Sequence, residues 1–345
     1  MSKTKVICIG DPHIQTNNIP EFNMFIEKLL DKIIEIKPDF VCILGDVLHT
    51  HERLHTLALN KAYEFINKVR QLTKTFVLVG NHDMCNNQQF LSDNHWLNGM
   101  KEWENVTIVD RVISFQTNSE LFIFAPYVPN GRFKEALNTI GDIWKTSKCI
   151  FAHQEFFGCK MGAITSEEGD KWDLSLPDVI SGHIHSRQKP QDNIYYTGSA
   201  LQHAFGESKK NIIASLTFYV DQDRYVCDEI DLKLPRKQII YMDVEDVYTY
   251  TKKQTNDKIK LTISGNYEEF KTFKKSQQYK QIVEDGTKVV FKHKKLNEIQ
   301  HKKVESSFNE ILNNLILNEK DVGLYQAYDF VFNDSIIDTN DIMFL

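Results

Sequence analysis

No Cys-x-x-Cys pair occurs among the six cysteines of this 345-residue chain (Cys8, Cys42, Cys85, Cys149, Cys159, Cys227). That excludes a thiolate-held structural zinc site. Four of the six lie inside apolar runs, where a free cysteine behaves as a small hydrophobe. No apolar stretch reaches the roughly 20 residues needed to span a bilayer, so no membrane association is expected. No signal peptide is expected either, because Met1-Ser2-Lys3-Thr4-Lys5 leads straight into a short strand-like run. These absences together point to a reducing, cytoplasmic setting. The chain also lacks internal repeats and low-complexity linkers. It lacks an overall basic excess as well: at a net charge of -6 the whole is not an obvious nucleic-acid binder.

What is present is ordinary in amount and uneven in placement. Hydrophobic residues make up 41% and charged residues 26%, enough to build one large domain and a small one. Between Lys271 and Lys303 ten lysines face three acids, an excess of +7 that leaves -13 on the rest. An acidic part and a basic C-terminal part are the expected division. The Asn, Lys and Ile content fits an AT-rich genome, including a viral one.

Apolar, β-branched runs mark the strands. Lys5–Gly10 ends in Asp11-Pro12-His13, where a carboxylate and an imidazole two residues apart share a face of an extended segment. A 3.6-residue period from Phe22 to Ile34, with Pro20 before and Pro38 after, predicts a helix. Asp39–Leu44 closes on Gly45-Asp46, with His49 three residues on. A second helix is expected over Leu54–Leu72. Phe76–Val79 then closes on Gly80-Asn81-His82-Asp83, where Gly80 is expected to turn the backbone sharply. This β-α-β-α-β order delivers polar groups at C-terminal strand ends, as α/β folds do when they build active sites. Later runs at Val106–Val109, Leu121–Ala125 and Cys149–Ala152 have little helix between them, which predicts a mixed or second packed sheet. Cys149–Ala152 ends in His153, and Asp178–Gly182 ends in His183-Ile184-His185. Strands at 195–199, 212–220 and 225–232 close this part. Beyond Leu234-Pro235-Arg236 lies a small α/β module: a strand at 259–264, one helix from Tyr267 to about Ile282, and a strand at 287–292. Two apolar stripes, Phe308–Ile316 and Leu324–Phe332, read as a helical hairpin or a short arm.

The groups at strand ends are Asp11, His13, Asp46, Asn81, His82, His153, His183 and His185. Carboxylate, imidazole and amide oxygen suit divalent metals of intermediate hardness such as manganese, iron or zinc, and carboxylates are too few for calcium. So many ligands exceed the need of one ion, and Asp46 is the natural bridge of a two-metal site. Taken in order, Gly10-Asp11-x-His13, Gly45-Asp46, Gly80-Asn81-His82-Asp83, His153 and Gly182-His183-x-His185 resemble the motifs of calcineurin-like metallophosphoesterases. The resemblance implies a four-layer β-sandwich flanked by helices. It implies one metal held by Asp11, His13, Asp46 and His185, and another by Asp46, Asn81, His153 and His183. His82 is then a proton donor or phosphate stabiliser, with Asp83 orienting it. His51, His55, His95, His203, His293 and His301 are expected to carry no metal.

His49, the run Tyr196–Glu207 and the small module after Leu234 further resemble the SbcD-type double-strand-break repair nucleases. That likeness implies residues 1–234 as a nuclease domain, 235–295 as a capping domain that positions DNA, and 296–345 as a helical arm. It implies His49 as a catalytic assistant, two divalent ions (manganese foremost; magnesium, iron or zinc as alternatives), a homodimer, and an SbcC-type ATPase partner. Val47-Leu48 departs from the aromatic-containing run usual before His49, and Pro12 is also unusual. Lys271, Lys274, Lys275, Lys292, Lys294 and Lys295 are the candidate DNA contacts. The alternatives are a stand-alone phosphatase or cyclic-nucleotide phosphodiesterase of the same fold, or a DNA-end-tethering scaffold with weak cleavage.

Overall fold

A computed structural model describes residues 3–51, 53–117, 120–252, 255–294, 308–319 and 321–332. The predicted strands β1 (Lys3–Ile9), β2 (Phe40–Ile43), β3 (Lys74–Leu78) and β4 (Val106–Val109) form. So do the predicted helices between them, α1 (Ile19–Ile36) and α2 (Thr56–Arg70). Pro20 opens α1, where its missing N–H costs nothing. Lys37 closes it in the left-handed region, its N–H donating to the Ile33 carbonyl. The four strands run parallel.

A second sheet contains β5 (Ile113–Gln116), β6 (Leu121–Phe124), β7 (Cys149–Ala152), β10 (Asp178–Ser181), β11 (Gln188–Gln191) and β12 (Ile194–Tyr196). Before β7 comes the short helix α3 (Phe133–Leu137), and after it the two-residue strands β8 (Lys160–Met161) and β9 (Ile164–Thr165) pair as a hairpin. The chain returns to the first sheet through β13 (Ile213–Tyr219) and β14 (Val226–Ile230). The strand orders are β14-β13-β1-β2-β3-β4 and β11-β12-β10-β7-β6-β5 among the described residues.

Alternation along the strands explains why two sheets stack. In β1, Val6 and Cys8 face one cluster while Ile7 and Ile9 face another; in β2, Phe40 and Cys42 oppose Val41 and Ile43. One face meets the second sheet through phenylalanines, with Phe76 and Phe124 stacked at 4.0 Å. The other face receives α1 and α2 through Phe22, Phe25, Phe65 and Ile66. Beyond the second sheet, Phe133, Trp144 and Trp172 cover Ile123, Ile150 and Val179. The result is the expected four-layer α/β sandwich. Its parallel strands end together, so the loops after β1, β2, β3, β7 and β10 meet.

The small module has its own three-stranded sheet: β15 (Lys237–Asp243), β16 (Lys258–Gly265) and β17 (Lys288–His293). Its apolar cluster includes Val244, Leu261, Ile263, Phe270, Phe273 and Ile282. The single helix expected from Tyr267 to Ile282 is instead two, α4 (Tyr267–Lys274) and α5 (Gln277–Glu284). Ser276 breaks it, because its side chain caps α5 by accepting from Tyr279 N–H at 3.1 Å. At the C-terminus the two apolar stripes form α6 (Phe308–Glu319) and α7 (Val322–Phe332), with Leu315, Leu317, Val322 and Leu324 exposed.

Candidate metal centre

Seven candidate ligands converge at the strand ends. His153 donates from Nδ1 to the Leu44 carbonyl at 2.6 Å. Its Nε2 then lies 3.3 Å from Asp46 Oδ2 and 3.0 Å from Asn81 Oδ1. His183 Nδ1 is 2.9 Å from the same Asn81 oxygen. On the other side His13 Nε2 lies 3.5 Å from Asp46 Oδ2 and 3.0 Å from His185 Nε2. Asp11 Oδ1 accepts from His183 N–H at 2.7 Å, while its Oδ2 is buried without a partner. Ligand atoms of Asp11, His13 and Asp46 lie within 4.8 Å of one another, and so do those of Asp46, His153 and His183. Asp46 belongs to both groups, the position of a bridge.

This donor set fits divalent metal. With the His153 Nδ1 proton committed to a carbonyl, a neutral ring turns a lone pair toward two oxygen acceptors, an arrangement that a cation resolves. The orphaned Asp11 oxygen makes the same demand. A proton at His153 Nε2 would answer the same demand for positive charge in place of a metal. Burial alone would lower the His153 imidazole, but Asp46 and Asp11 outweigh it and push it up to about 9. Burial likewise opposes Asp46, yet His153 and His13 hold its carboxyl well below the usual range.

The backbone is strained to aim these groups. Asp11, His13, Asp46 and His183 have φ of 43, 41, 50 and 78°, in the left-handed region that non-glycine residues rarely occupy. Gly80 plays a different part from the one expected. Its φ of −84° and ψ of 173° are extended, so it makes no sharp turn. Glycine is required because a Cβ there would collide with the Asp46 carboxylate.

His82 and His49 arrive beside this cluster. His82 N–H donates to Asp46 Oδ1 at 2.8 Å, and its ring Nδ1 donates to the His49 carbonyl at 2.7 Å. His49 Nδ1 meets His13 Nδ1 at 3.3 Å; burial, then His82, lowers the His49 pKa. Asp83 requires a correction. It does not orient the His82 ring, because its carboxylate is spent on other donors: N–H of Val47, Leu48 and Gly80, and the Trp96 indole at 2.8 Å. It ties the loop after β3 to the loop after β2.

Some contributors were not expected. A nitrogen of His203 lies within 4.8 Å of nitrogens of His13 and His185. Its Nε2 donates to the Asp11 carbonyl, leaving Nδ1 buried and unpartnered. Glu207 faces His185 Nδ1 at 3.4 Å and also accepts from the His203 and Ala204 N–H groups. Glu155 lies 3.9 Å from His183 Nε2. Such carboxylates fix ligand imidazoles. By contrast His55 and His95 are helix caps, their Nδ1 atoms accepting from Leu57 and Leu97 N–H. The candidate DNA-contacting lysines lie elsewhere. Lys271 is 3.9 Å from Glu268, Lys274 sits over the Phe291 ring, and Lys275, Lys292 and Lys294 are exposed. Lys295 is outside the described residues, as is His301.

A four-layer sandwich with aspartate, asparagine and histidine side chains gathered at one sheet end is the arrangement of a metal-dependent phosphoester hydrolase. Residues 4–187 match the calcineurin-like phosphoesterase family model, and the chain belongs to that family. It is 49% identical over 304 residues to an inferred phosphoesterase, 078R, of Invertebrate iridescent virus 3, covering 87% of each chain. It is also 49% identical over 282 residues to the inferred phosphoesterase 244L of Invertebrate iridescent virus 6, covering 80% of this chain and 99% of that one. Among solved structures, GAP50, the anchor in the inner membrane complex of Plasmodium, aligns with a TM-score of 0.46 at 14% identity. That alignment covers 68% of this chain and 86% of the other. Members of the family bind divalent metals, in keeping with the donor set here. No helix among the described residues is long and apolar enough to cross a membrane.

Proposed function

We propose that this chain is a manganese-dependent nuclease of the SbcD type, hydrolysing phosphodiester bonds of DNA. The observation that carries the reading is the pairing of His82 with the His49 segment at the edge of the two ligand groups. One ion would be held by Asp11, His13, Asp46 and His185, the other by Asp46, Asn81, His153 and His183. Metal bound there would draw in phosphoryl oxygens and acidify the attacking water. The residues around it supply the proton chemistry. With Nδ1–H committed to the His49 carbonyl, His82 has Nε2 as the nitrogen that hands a proton to the leaving oxygen. The His49 ring, nitrogen to nitrogen with His13, assists from the side.

Residues 1–234 would be the nuclease domain and 235–295 a cap that positions DNA. The cap reading is supported by Lys237, whose Nζ donates to the Gln202 and His203 carbonyls at 2.6 and 2.7 Å. The small module thereby grips the loop that carries His203 and Glu207. Residues 296–345 would dock an SbcC-type ATPase, and the face of α2 around the exposed Leu57 would serve a homodimer.

A second reading, a phosphatase or cyclic-nucleotide phosphodiesterase of the same fold, is favoured by the viral relatives' names, which specify only a phosphoesterase. One experiment divides the two. Linear duplex and single-stranded DNA, a cyclic nucleotide and a small phosphomonoester are incubated with wild type and His82→Ala, in manganese and in magnesium. Manganese-dependent DNA cleavage that His82→Ala abolishes supports the nuclease. Turnover of the small substrates without DNA cleavage overturns it.

A further inference from the structure

His49-Thr50-His51 reaches His82 twice. The backbone carbonyl of His49 accepts the His82 Nδ1 proton at 2.7 Å. The ring of His51 lies over the ring of His82, with centroids 4.5 Å apart and planes 21° from parallel. The His49 ring is also near-parallel to His82, at 13° and 5.7 Å, and the His13 ring meets it edge-on at 4.8 Å. Thr50 Oγ1 donates to the Arg53 carbonyl at 2.8 Å. Nothing else assigned to the site uses His51.

We propose that His51 is a positioning residue for His82. This rests on the reading of His82 as the proton donor. A single hydrogen bond at Nδ1 fixes one point of the imidazole but leaves the ring able to rock about that bond, because χ2 of histidine is a broad torsion. A flat ring laid against the imidazole face closes that motion. The plane of the ring sets where Nε2 points, so the stack sets the direction in which the proton travels. With Asp83 occupied by backbone amides and the Trp96 indole, the His49–His51 segment does the orienting that the neighbouring carboxylate does not. The task needs a flat face and no particular nitrogen; His51 Nδ1 is buried without a hydrogen-bond partner.

The test compares wild type with His51→Ala, His51→Gln and His51→Phe. Each is assayed on bis(p-nitrophenyl) phosphate with manganese, alongside metal stoichiometry and melting temperature. Removing the ring, as in His51→Ala and His51→Gln, is expected to lower kcat about ten- to a hundred-fold, with KM held within about two-fold. His51→Phe restores the flat face and is expected to recover to within about three-fold of wild type. Metal stoichiometry and melting temperature stay level in all four proteins. Three results would overturn the proposal: His51→Ala matching wild type, His51→Gln recovering where His51→Phe does not, or a rise in KM with kcat unchanged. A wild type that hydrolyses no phosphoester at all is a separate result, which removes the functional reading and this inference with it.

Discussion

Asn81 and His82 are neighbours in the chain, yet their side chains serve different partners. The Asn81 amide oxygen faces His153 and His183 within the ligand cluster, whereas the His82 ring is held by the segment after β2. Their alanine variants should therefore fail differently. His82→Ala is expected to lower kcat by about 10²–10⁴-fold while retaining both ions by calorimetric titration. Asn81→Ala is expected to lose affinity for one ion, seen in the same titration before any substrate is added. Equal metal binding in both variants would break the division of roles. Asp83 makes a third case. Removing it strands buried donors on Gly80, Val47 and Leu48, so Asp83→Ala should cost about 2–4 kcal/mol of stability in urea unfolding. A role confined to orienting His82 would instead leave the unfolding curve unchanged and alter turnover alone.

Elements differ in how openly the sequence declares them. β1, β2 and β3 are readable because both faces are buried, so each appears as an unbroken apolar run ending in a polar motif. The ligands are readable for the same reason, since each sits one to three residues past such a run. β15 is hidden: its residues are half-buried or exposed and show no alternation. The α4–α5 break is hidden because apolar spacing continues across it, and only the Ser276 cap reveals it. Ser276→Ala should cost about 1 kcal/mol in thermal melting, with the loss confined to the small module. His51, His203 and Glu207 escape sequence reasoning because loops bring them to the cluster, and loop geometry leaves no period to read. At the end of β4, Asp110 links that strand to His95 and Lys101. Burial opposes its charge, but His95 and Lys101 outweigh burial and hold its carboxyl below the ordinary value. A depressed carboxyl stabilises the fold above its unfolded pKa and loses that contribution as pH falls toward the folded one. The wild-type urea midpoint should thus drop between pH 5 and pH 3 by more than that of Asp110→Asn.

Charge is distributed across the whole molecule in a way that bears on how a net-acidic protein could hold DNA. The metal-bearing part repels phosphate until cations fill it, and the basic excess lies in the segment from Lys271 to Lys303. Within that segment Lys271, Lys274 and Lys275 share the end of α4 and are all exposed. The Lys271–Glu268 pair at 3.9 Å is a surface i,i+3 contact, worth too little to withhold the lysine from a phosphate. The Lys274 ammonium lies over Phe291, which orients it without neutralising it. If these three lysines touch the backbone of bound DNA, each contact releases close to one counterion. Replacing all three with alanine should then reduce the slope of log affinity against log salt by about 2.7, measured on duplex DNA between 50 and 200 mM salt. An unchanged slope would remove this surface from the DNA path. It would leave attraction to the filled metal centre as the means of holding substrate.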